Sequence, residues 1–375
     1  MPRSKKIWVF GSTFGRRFAD NPKYFYLFLS QQHKNDIDAI WISKSREIVQ
    51  HLNKNNYKAC FLYSVKGIWY SLRAKVYLYD NYSKDICYLL SAGAKRINLW
   101  HGIPLKKIQK DNQFDKFRNP SNFKEKINRM PRRISDEKKS DYVLTTSKYL
   151  VQIFSSAFQT NKVLVCGYPR NEELISNNIV NLPLRSENEF LELLNEKRKD
   201  VKKTIMYMPT FRETEYKFFD LVSVERLIDF LERQNMLLCV KLHPKSKLQK
   251  MFSLIQSEYI LIADEQADPY PILKQMDVLI TDYSSIYFDF LLTEKPVVFF
   301  PYDYEEYLAE SRELYFDYEE FTPGRKVYNQ EELEEALCVS IFDNTGAKEI
   351  TDRVFDGTVK NASETLYCRI RDILS

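Results

Sequence analysis

Glycine is scarce in this chain, with nine residues in 375. Neither G-x-G-x-x-G nor G-x-x-x-x-G-K-[ST] occurs, which argues against a dinucleotide-dependent oxidoreductase and a P-loop nucleoside triphosphatase. Histidine is scarcer still, at four residues, so a His-rich metal centre is not expected. The six cysteines, at positions 60, 87, 166, 239, 338 and 368, are scattered without a C-x-x-C pair. Several lie in apolar runs, and they read as reduced core residues rather than disulfides or a zinc site. No apolar run approaches the roughly 18 residues of a transmembrane helix. The basic start, residues 1–6, leads at once into strand-like residues 7–10, too short for a signal-peptide core. These absences point to a cytosolic protein.

What the chain does have is a globular composition: 44% apolar and 14% aromatic, with 25 Tyr and 25 Phe. The length favours two domains. The formal charge of +5 is concentrated in residues 115–139, where nine Lys or Arg stand against four Asp or Glu. That basic segment suits an anionic partner, whether a membrane surface, a polyphosphate acceptor or nucleic acid. No nucleic-acid-binding signature accompanies it, so nucleic acid is the weakest of the three. A solvated helix face is the plain alternative.

Short apolar strands alternate with longer amphipathic stretches, the mark of a parallel α/β protein. Strands are expected at 7–10, 39–42, 59–63, 76–79, 97–100, 142–145 and 163–166. A second set is expected at 204–208, 237–242, 259–262, 278–281 and 297–300. The pattern breaks between 175 and 203, which reads as a crossing between domains. The division expected is residues 1–185, residues 186–360 and a closing helix, 361–375, that packs back on the first domain.

In an open parallel sheet a ligand binds beyond the carboxyl ends of the strands, so the residues just after each strand are the informative ones. Trp100 is followed by His101-Gly102-Ile103-Pro104-Leu105-Lys106-Lys107, and Cys166 by Gly167-Tyr168-Pro169-Arg170-Asn171. Met208 leads to Pro209-Thr210-Phe211-Arg212, and Leu242 to His243-Pro244-Lys245. The last is Thr281-Asp282-Tyr283-Ser284-Ser285, a strand end opening into a helix. Two serines at a helix start offer hydroxyls, backbone N–H groups and a positive dipole end, an anion site made without a Gly-rich loop. Taken alone, that turn reads more simply as a capped helix. A neutral imidazole suits removal of a proton from an attacking hydroxyl, and Gly102 is expected to give His101 a tight turn at a strand end. His243 holds the same kind of position and could donate to a phosphate or a departing group. Arg212 could fork onto a phosphate. Asp282 could orient a base, cap the helix or bind a ribose.

These pieces in this order resemble the CDP-glycerol glycerophosphotransferase family, the teichoic-acid primases and polymerases and their capsule-building relatives. Tyr315-Phe316-Asp317-Tyr318-Glu319 and Asn21-Pro22-Lys23-Tyr24 add to the likeness, which runs from about residue 10 to about 330. Ile103 stands where the family pattern has Thr. The resemblance implies a GT-B fold, two Rossmann-like doubly wound domains facing across a cleft. It implies a transferase that moves glycerol phosphate, or another polyol phosphate, from CDP-glycerol to an acceptor hydroxyl with release of CMP. His101 would be the general base. His243, Arg212, Thr281, Ser284 and Ser285 would hold the diphosphate, and Gly102, Arg170, Thr210, Asp282 and Arg325 would line the substrate sites.

No cofactor is implied beyond the CDP-glycerol or CDP-ribitol donor, and a Mg2+ requirement is left open. The partners expected are that donor and an anionic polyol-phosphate, glycan or lipid-linked acceptor. An anionic membrane surface met by the basic segment is expected as well, which would make the enzyme cytoplasmic and peripheral on the inner face of the cell membrane. The alternatives are a GT-B glycosyltransferase using a nucleotide sugar and, from another class, an inert polymer-binding module.

Overall fold

The computed structural model describes residues 2–113, 123, 124, 127, 140–177, 181–211, 215–310, 313–339 and 345–375. Arg212 and most of the basic 115–139 segment lie outside them.

The chain forms two compact units. The first comprises residues 1–103, 108–182 and 353–375, and the second residues 104–107 and 183–352. The sequence pattern puts the joins at 185/186 and 360/361 and assigns all of 104–107 to the first unit, so the boundaries differ by a few residues and by that excursion. The charged stretch that reads as a crossing contains the helix Arg185–Lys197, which belongs to the second unit.

The first unit is built on seven parallel strands: β1 (Ser4–Phe10), β2 (Asp38–Ser43), β3 (Ala59–Phe61), β4 (Ala74–Tyr79), β5 (Lys95–Asn98), β6 (Tyr142–Thr145) and β7 (Val163–Val165). Their order is β3-β2-β1-β4-β5-β6-β7. Helices on the faces bury the strands, so Trp8, Val9, Phe10, Ile40, Trp41 and Leu78 are wholly enclosed, as the near-continuous apolar strands of a parallel sheet require. The helix Ala362–Leu374 belongs to this unit. Its Tyr367 stacks on His33 with ring centres 3.7 Å apart, and Glu364 meets His33 Nε2 at 2.9 Å.

The second unit has six parallel strands: β8 (Lys203–Tyr207), β9 (Met236–Val240), β10 (Ile260–Ile262), β11 (Val278–Thr281), β12 (Val297–Phe299) and β13 (Arg325–Lys326). Their order is β10-β9-β8-β11-β12-β13. All twelve strands expected from the sequence are present. β13, two charged residues at a sheet edge, is not legible as a strand.

In both sheets the order in which strands are added reverses once, between β1 and β4 in the first and between β8 and β11 in the second. Each unit therefore has one switch point, where connections diverge and leave a crevice beyond the carboxyl ends. The six cysteines are free. Cys338 and Cys368 are exposed rather than in the core as expected, because both sit on outward faces of helices.

The turn after β7 shows why its glycine is needed. Gly167 has φ 82°, and a Cβ there would lie 2.4 Å from the Thr358 carbonyl oxygen and 3.0 Å from Ala362 Cβ. Left-handed backbone costs an L-residue about 1–2 kcal/mol, and the clash adds to that. Gly167→Ala is expected to destabilise the fold by about 2 kcal/mol or more in chemical denaturation. A change under about 0.5 kcal/mol, the size of an ordinary surface substitution, would contradict this packing.

Candidate functional site

At the first unit's switch point the chain leaves β1 through Ser12 and Thr13 and leaves β4 through Asp80. Asp80 is buried, and its carboxylate accepts from Ser12 Oγ (2.5 Å), Thr13 N (3.1 Å) and Asn81 Nδ2 (3.1 Å). Asp85, also buried, accepts from the N–H groups of Phe14 (2.7 Å), Asn81 (2.9 Å) and Tyr82 (3.0 Å). The two carboxylates thus lash together the turns on either side of the crevice. Burial, and then the charge of Asp20, push the Asp80 carboxyl upward. Burial, and then Asp80, push Asp85 well above the usual carboxylate range. Two like charges so close in an enclosed space favour keeping a proton between them.

His101 stands exposed on this frame, three residues beyond β5. Its Nδ1 lies 3.0 Å from the backbone oxygen of Asp80. A carbonyl only accepts, so Nδ1 carries the hydrogen, and in the neutral ring Nε2 is left with its lone pair. The ring packs on Trp100, with centres 4.0 Å apart. The sharp turn is made at Trp100, whose φ is 53°, rather than at Gly102, which at φ 158° is nearly extended. Asn98 Oδ1 fixes it by accepting from Trp100 N at 2.8 Å, and Asn21 Nδ2 donates to the carbonyls of Leu99 (3.1 Å) and Trp100 (2.9 Å).

The second unit repeats the device. Asp282, buried after β11, accepts from Thr210 N (2.8 Å), in the turn after β8, and from Tyr283 N (2.5 Å). Thr281 is wholly buried and donates to the Met208 carbonyl at 2.8 Å. Tyr318 OH donates to the Asp282 carbonyl at 3.1 Å.

His243, after β9, is exposed and stacks on Phe211 with ring centres 5.4 Å apart. Its Nδ1 accepts from Lys245 N at 3.1 Å. The neutral ring therefore carries its hydrogen on Nε2, the opposite tautomer to His101. Lys106 is held in this unit by a bridge to Leu314, flanked by Tyr315 N to Leu105 O (2.9 Å) and Lys107 N to Glu313 O (2.8 Å). Its Nζ donates to Thr210 Oγ1 at 3.3 Å.

Sequence comparison then names the family. The family model for CDP-Glycerol:Poly(glycerophosphate) glycerophosphotransferase matches residues 1–372. This chain belongs to that family. The teichoic acid poly(glycerol phosphate) polymerase of Bacillus spizizenii is 30% identical over 350 residues, 90% of this chain and 84% of the relative. The teichoic acid glycerol-phosphate transferase of Staphylococcus aureus is 29% identical over 354 residues, 89% of this chain and 84% of that one. A solved structure of the wall teichoic acid polymerase TagF, soaked with CDPG, superposes with a TM-score of 0.73 at 23% identity. It covers 100% of this chain and 91% of that one, and establishes a shared fold of two parallel-sheet Rossmann-like domains. The protein is a transferase, as its family is.

As a glycerophosphotransferase-family member, the chain distributes its expected site residues unevenly. His101 and His243 are exposed at strand ends. Ser284 and Ser285 are half-buried before the helix Ile286–Leu291, for which Ser285 is the N-cap. Thr210 and Asp282 meet each other, and Asp282 ties two turns together rather than capping that helix.

Arg170, expected at the substrate, is 3% exposed. Its Nη1 pairs with Asp20 at 2.7 Å, and its backbone N–H donates at 3.2 Å to Oδ1 of Asn21, whose Nδ2 holds the Leu99 and Trp100 carbonyls. Arg325 is exposed on β13 and paired with Glu335 at 3.0 Å. Gly102 gives its carbonyl to Tyr168 OH at 3.2 Å, and Ile103, at the family's Thr position, is fully buried. Sequence reasoning does not single out Asp80, Lys106 and Tyr318, which hydrogen-bond to the candidate residues His101, Thr210 and Asp282 respectively. The only sequence signals for them are an Asp closing a strand, a Lys in the His101 loop, and the Tyr-Phe-Asp-Tyr motif.

The Asp80–Asp85 pair has a pH consequence. A carboxyl held above its unfolded value stabilises the fold most below about pH 4, where both states are protonated. That contribution is lost as pH rises through the folded value, by at most about 1.4 kcal/mol per pH unit per group. Asp80→Asn removes the charge while Oδ1 still accepts from Thr13 and Nδ2 donates to Ser12. Thermal unfolding is expected to show the variant at least as stable as the parent at about pH 7, with a shallower loss between about pH 4 and 7. An unchanged pH slope with a less stable variant would contradict the shared proton.

Proposed function

We propose that this glycerophosphotransferase moves glycerol phosphate from CDP-glycerol to a hydroxyl of a lipid-linked or polymeric acceptor in teichoic acid synthesis, releasing CMP. The observation that carries the reading is the pairing of His101, with a lone pair at Nε2, and His243, with an N–H there, each at the strand-end edge of its own unit. The reading requires these two edges to face each other across a cleft, as in GT-B proteins.

In the proposed step the acceptor O–H gives its proton to His101 Nε2 while its oxygen bonds to the β-phosphorus. The bond from that phosphorus to the bridging oxygen breaks, and CMP leaves with the oxygen and its electron pair. His243 Nε2–H, the Lys106 ammonium and the hydroxyls of Thr210, Ser284 and Ser285 would offset the charge on the phosphates. Arg212, by its place in the sequence, would join them. Phosphoryl transfer asks for positioning and charge stabilisation more than covalent chemistry. Thr281, Asp282 and Arg170 would act by holding these groups in place, and no cofactor enters the scheme.

Glycerol is favoured over ribitol because the relatives matched along most of their length are named for glycerol phosphate. The ribitol-phosphate polymerases of Staphylococcus aureus match over 44% of this chain. A lipid-linked acceptor would place the enzyme at the inner face of the cell membrane.

The test is CMP release from purified protein with CDP-glycerol, CDP-ribitol and nucleotide sugars, each with a glycerol-phosphate acceptor. Turnover is expected with CDP-glycerol, falling about 10²–10⁴-fold in His101→Ala and about 10²-fold in His243→Ala. Turnover of a sugar donor in place of the CDP-polyols would overturn the function and leave the fold standing.

A further inference from the structure

The turn that carries His243 is gripped from outside itself. Residues 243–247 run between the buried Leu242 and Leu248, with His243, Pro244, Lys245 and Lys247 exposed. Two hydrogen bonds close the turn. Lys245 N donates to His243 Nδ1 at 3.1 Å, and Ser246 N donates to the His243 carbonyl at 2.8 Å. The next two contacts reach back to Glu215: Ser246 Oγ donates to its Oε2 at 2.8 Å, and Lys247 N to its Oε1 at 2.5 Å. Lys247 is the N-cap of the helix Leu248–Phe252 and its side chain cannot accept, so Glu215 supplies the acceptor a cap normally provides.

Glu215 belongs to the connection after β8 and is anchored there. Its carbonyl accepts from Phe218 N at 3.1 Å, and Phe218 is buried in the core of this unit. Phe211, in the same connection, stacks on the His243 ring. The connection after β8 thus holds the turn after β9 twice, at the imidazole and at the backbone. Glu215 is only 5% exposed. A buried carboxylate is costly unless its oxygens are hydrogen-bonded, and both of these oxygens are bonded to this one turn.

We infer that Glu215 is a positioning residue for His243. Its carboxylate sets the 243–247 turn, the turn presents Lys245 N to Nδ1, and the ring hydrogen is thereby kept on Nε2. The inference rests on the reading of His243 as a hydrogen-bond donor to the diphosphate. In this role Glu215 acts through the turn and not on the substrate.

Three variants separate this role from plain support of the fold. Glu215→Ala removes both acceptors. Glu215→Gln keeps both contacts, because its Oε1 accepts from Lys247 N while its Nε2 donates to Ser246 Oγ. Ser246→Ala opens one side of the clasp with the carboxylate still in place, and it replaces Glu215→Ala if that variant does not fold. A long-range 1H–15N spectrum of the 15N-histidine-labelled full chain, recorded where imidazoles are neutral, reads the rings without any substrate. In Glu215→Ala the His243 ring is expected to lose its single tautomer and average between two, while His101 keeps its shifts. Since a misplacement of about 1 Å can cost about 10²-fold, kcat for CMP release from CDP-glycerol is expected to fall by about that factor. Glu215→Gln should recover most of the loss. Adding Glu215→Ala to His243→Ala should cost little more, because the two act through one group.

Unchanged His243 shifts in Glu215→Ala would overturn the inference. So would equal disturbance of His101 and His243, a Glu215→Gln variant as impaired as Glu215→Ala, or losses that multiply in the double variant. A parent protein that releases no CMP refutes the transfer reading alone, because the spectrum still decides whether Glu215 sets the His243 ring.

Discussion

The structure depends on a buried aspartate that closes each switch point. Asp80 follows β4 and accepts the N–H of Thr13 across the crevice, while Asp282 follows β11 and accepts the N–H of Thr210. In both units a carboxylate takes a backbone donor from the turn after the strand on the other side of the switch. Parallel strands that diverge leave such donors without ladder partners, and a charge-assisted bond is the strong way to satisfy them. Asp80 shares its enclosure with Asp85 and is pushed upward by burial and neighbouring charge, so the first crevice is tied by a pair rather than a single ion.

The same ties set the histidines. The Asp80 residue offers its backbone oxygen to His101 Nδ1 while its carboxylate holds the turn. His101 therefore keeps its tautomer as long as the end of β4 stays in place. His243 is set by the N–H of Lys245, two residues on. One ring faces outward with a lone pair and the other with an N–H, the complementary states that base and donor require in a transfer between oxygens. Neither unit offers a Gly-rich loop, and in the proposed reaction fixed side chains do that work.

Much of the fold is legible in the sequence because a parallel sheet buries its strands on both faces, which writes them as short apolar runs. β13 is not, since two charged residues at an edge carry no such run. The exposed histidines can be found because each directly follows an apolar run that reads as a strand, and each lies three residues beyond the strand itself. Arg170 carries the same signal, an arginine in a strand-end turn, but its partner Asp20 stands 150 residues away and is not legible in the sequence. Asp80 looks like any polar residue closing a strand, because nothing in the order of residues says that β1 and β4 are neighbours. Lys106 is hidden by the chain itself, which leaves the first unit after residue 103 and returns at 108. Trp100 reads as the end of a strand, whereas it makes the turn that seats His101.

The central claim is that the frame fixes opposite ring tautomers on the two histidines. A long-range 1H–15N correlation spectrum of 15N-histidine-labelled protein, assigned with His101→Gln and His243→Gln and recorded at alkaline pH where imidazoles are neutral, tests it directly. The account predicts protonated Nδ1 with bare Nε2 for His101, and bare Nδ1 with protonated Nε2 for His243. The same tautomer on both rings, or free exchange between the two forms at His101, would contradict it.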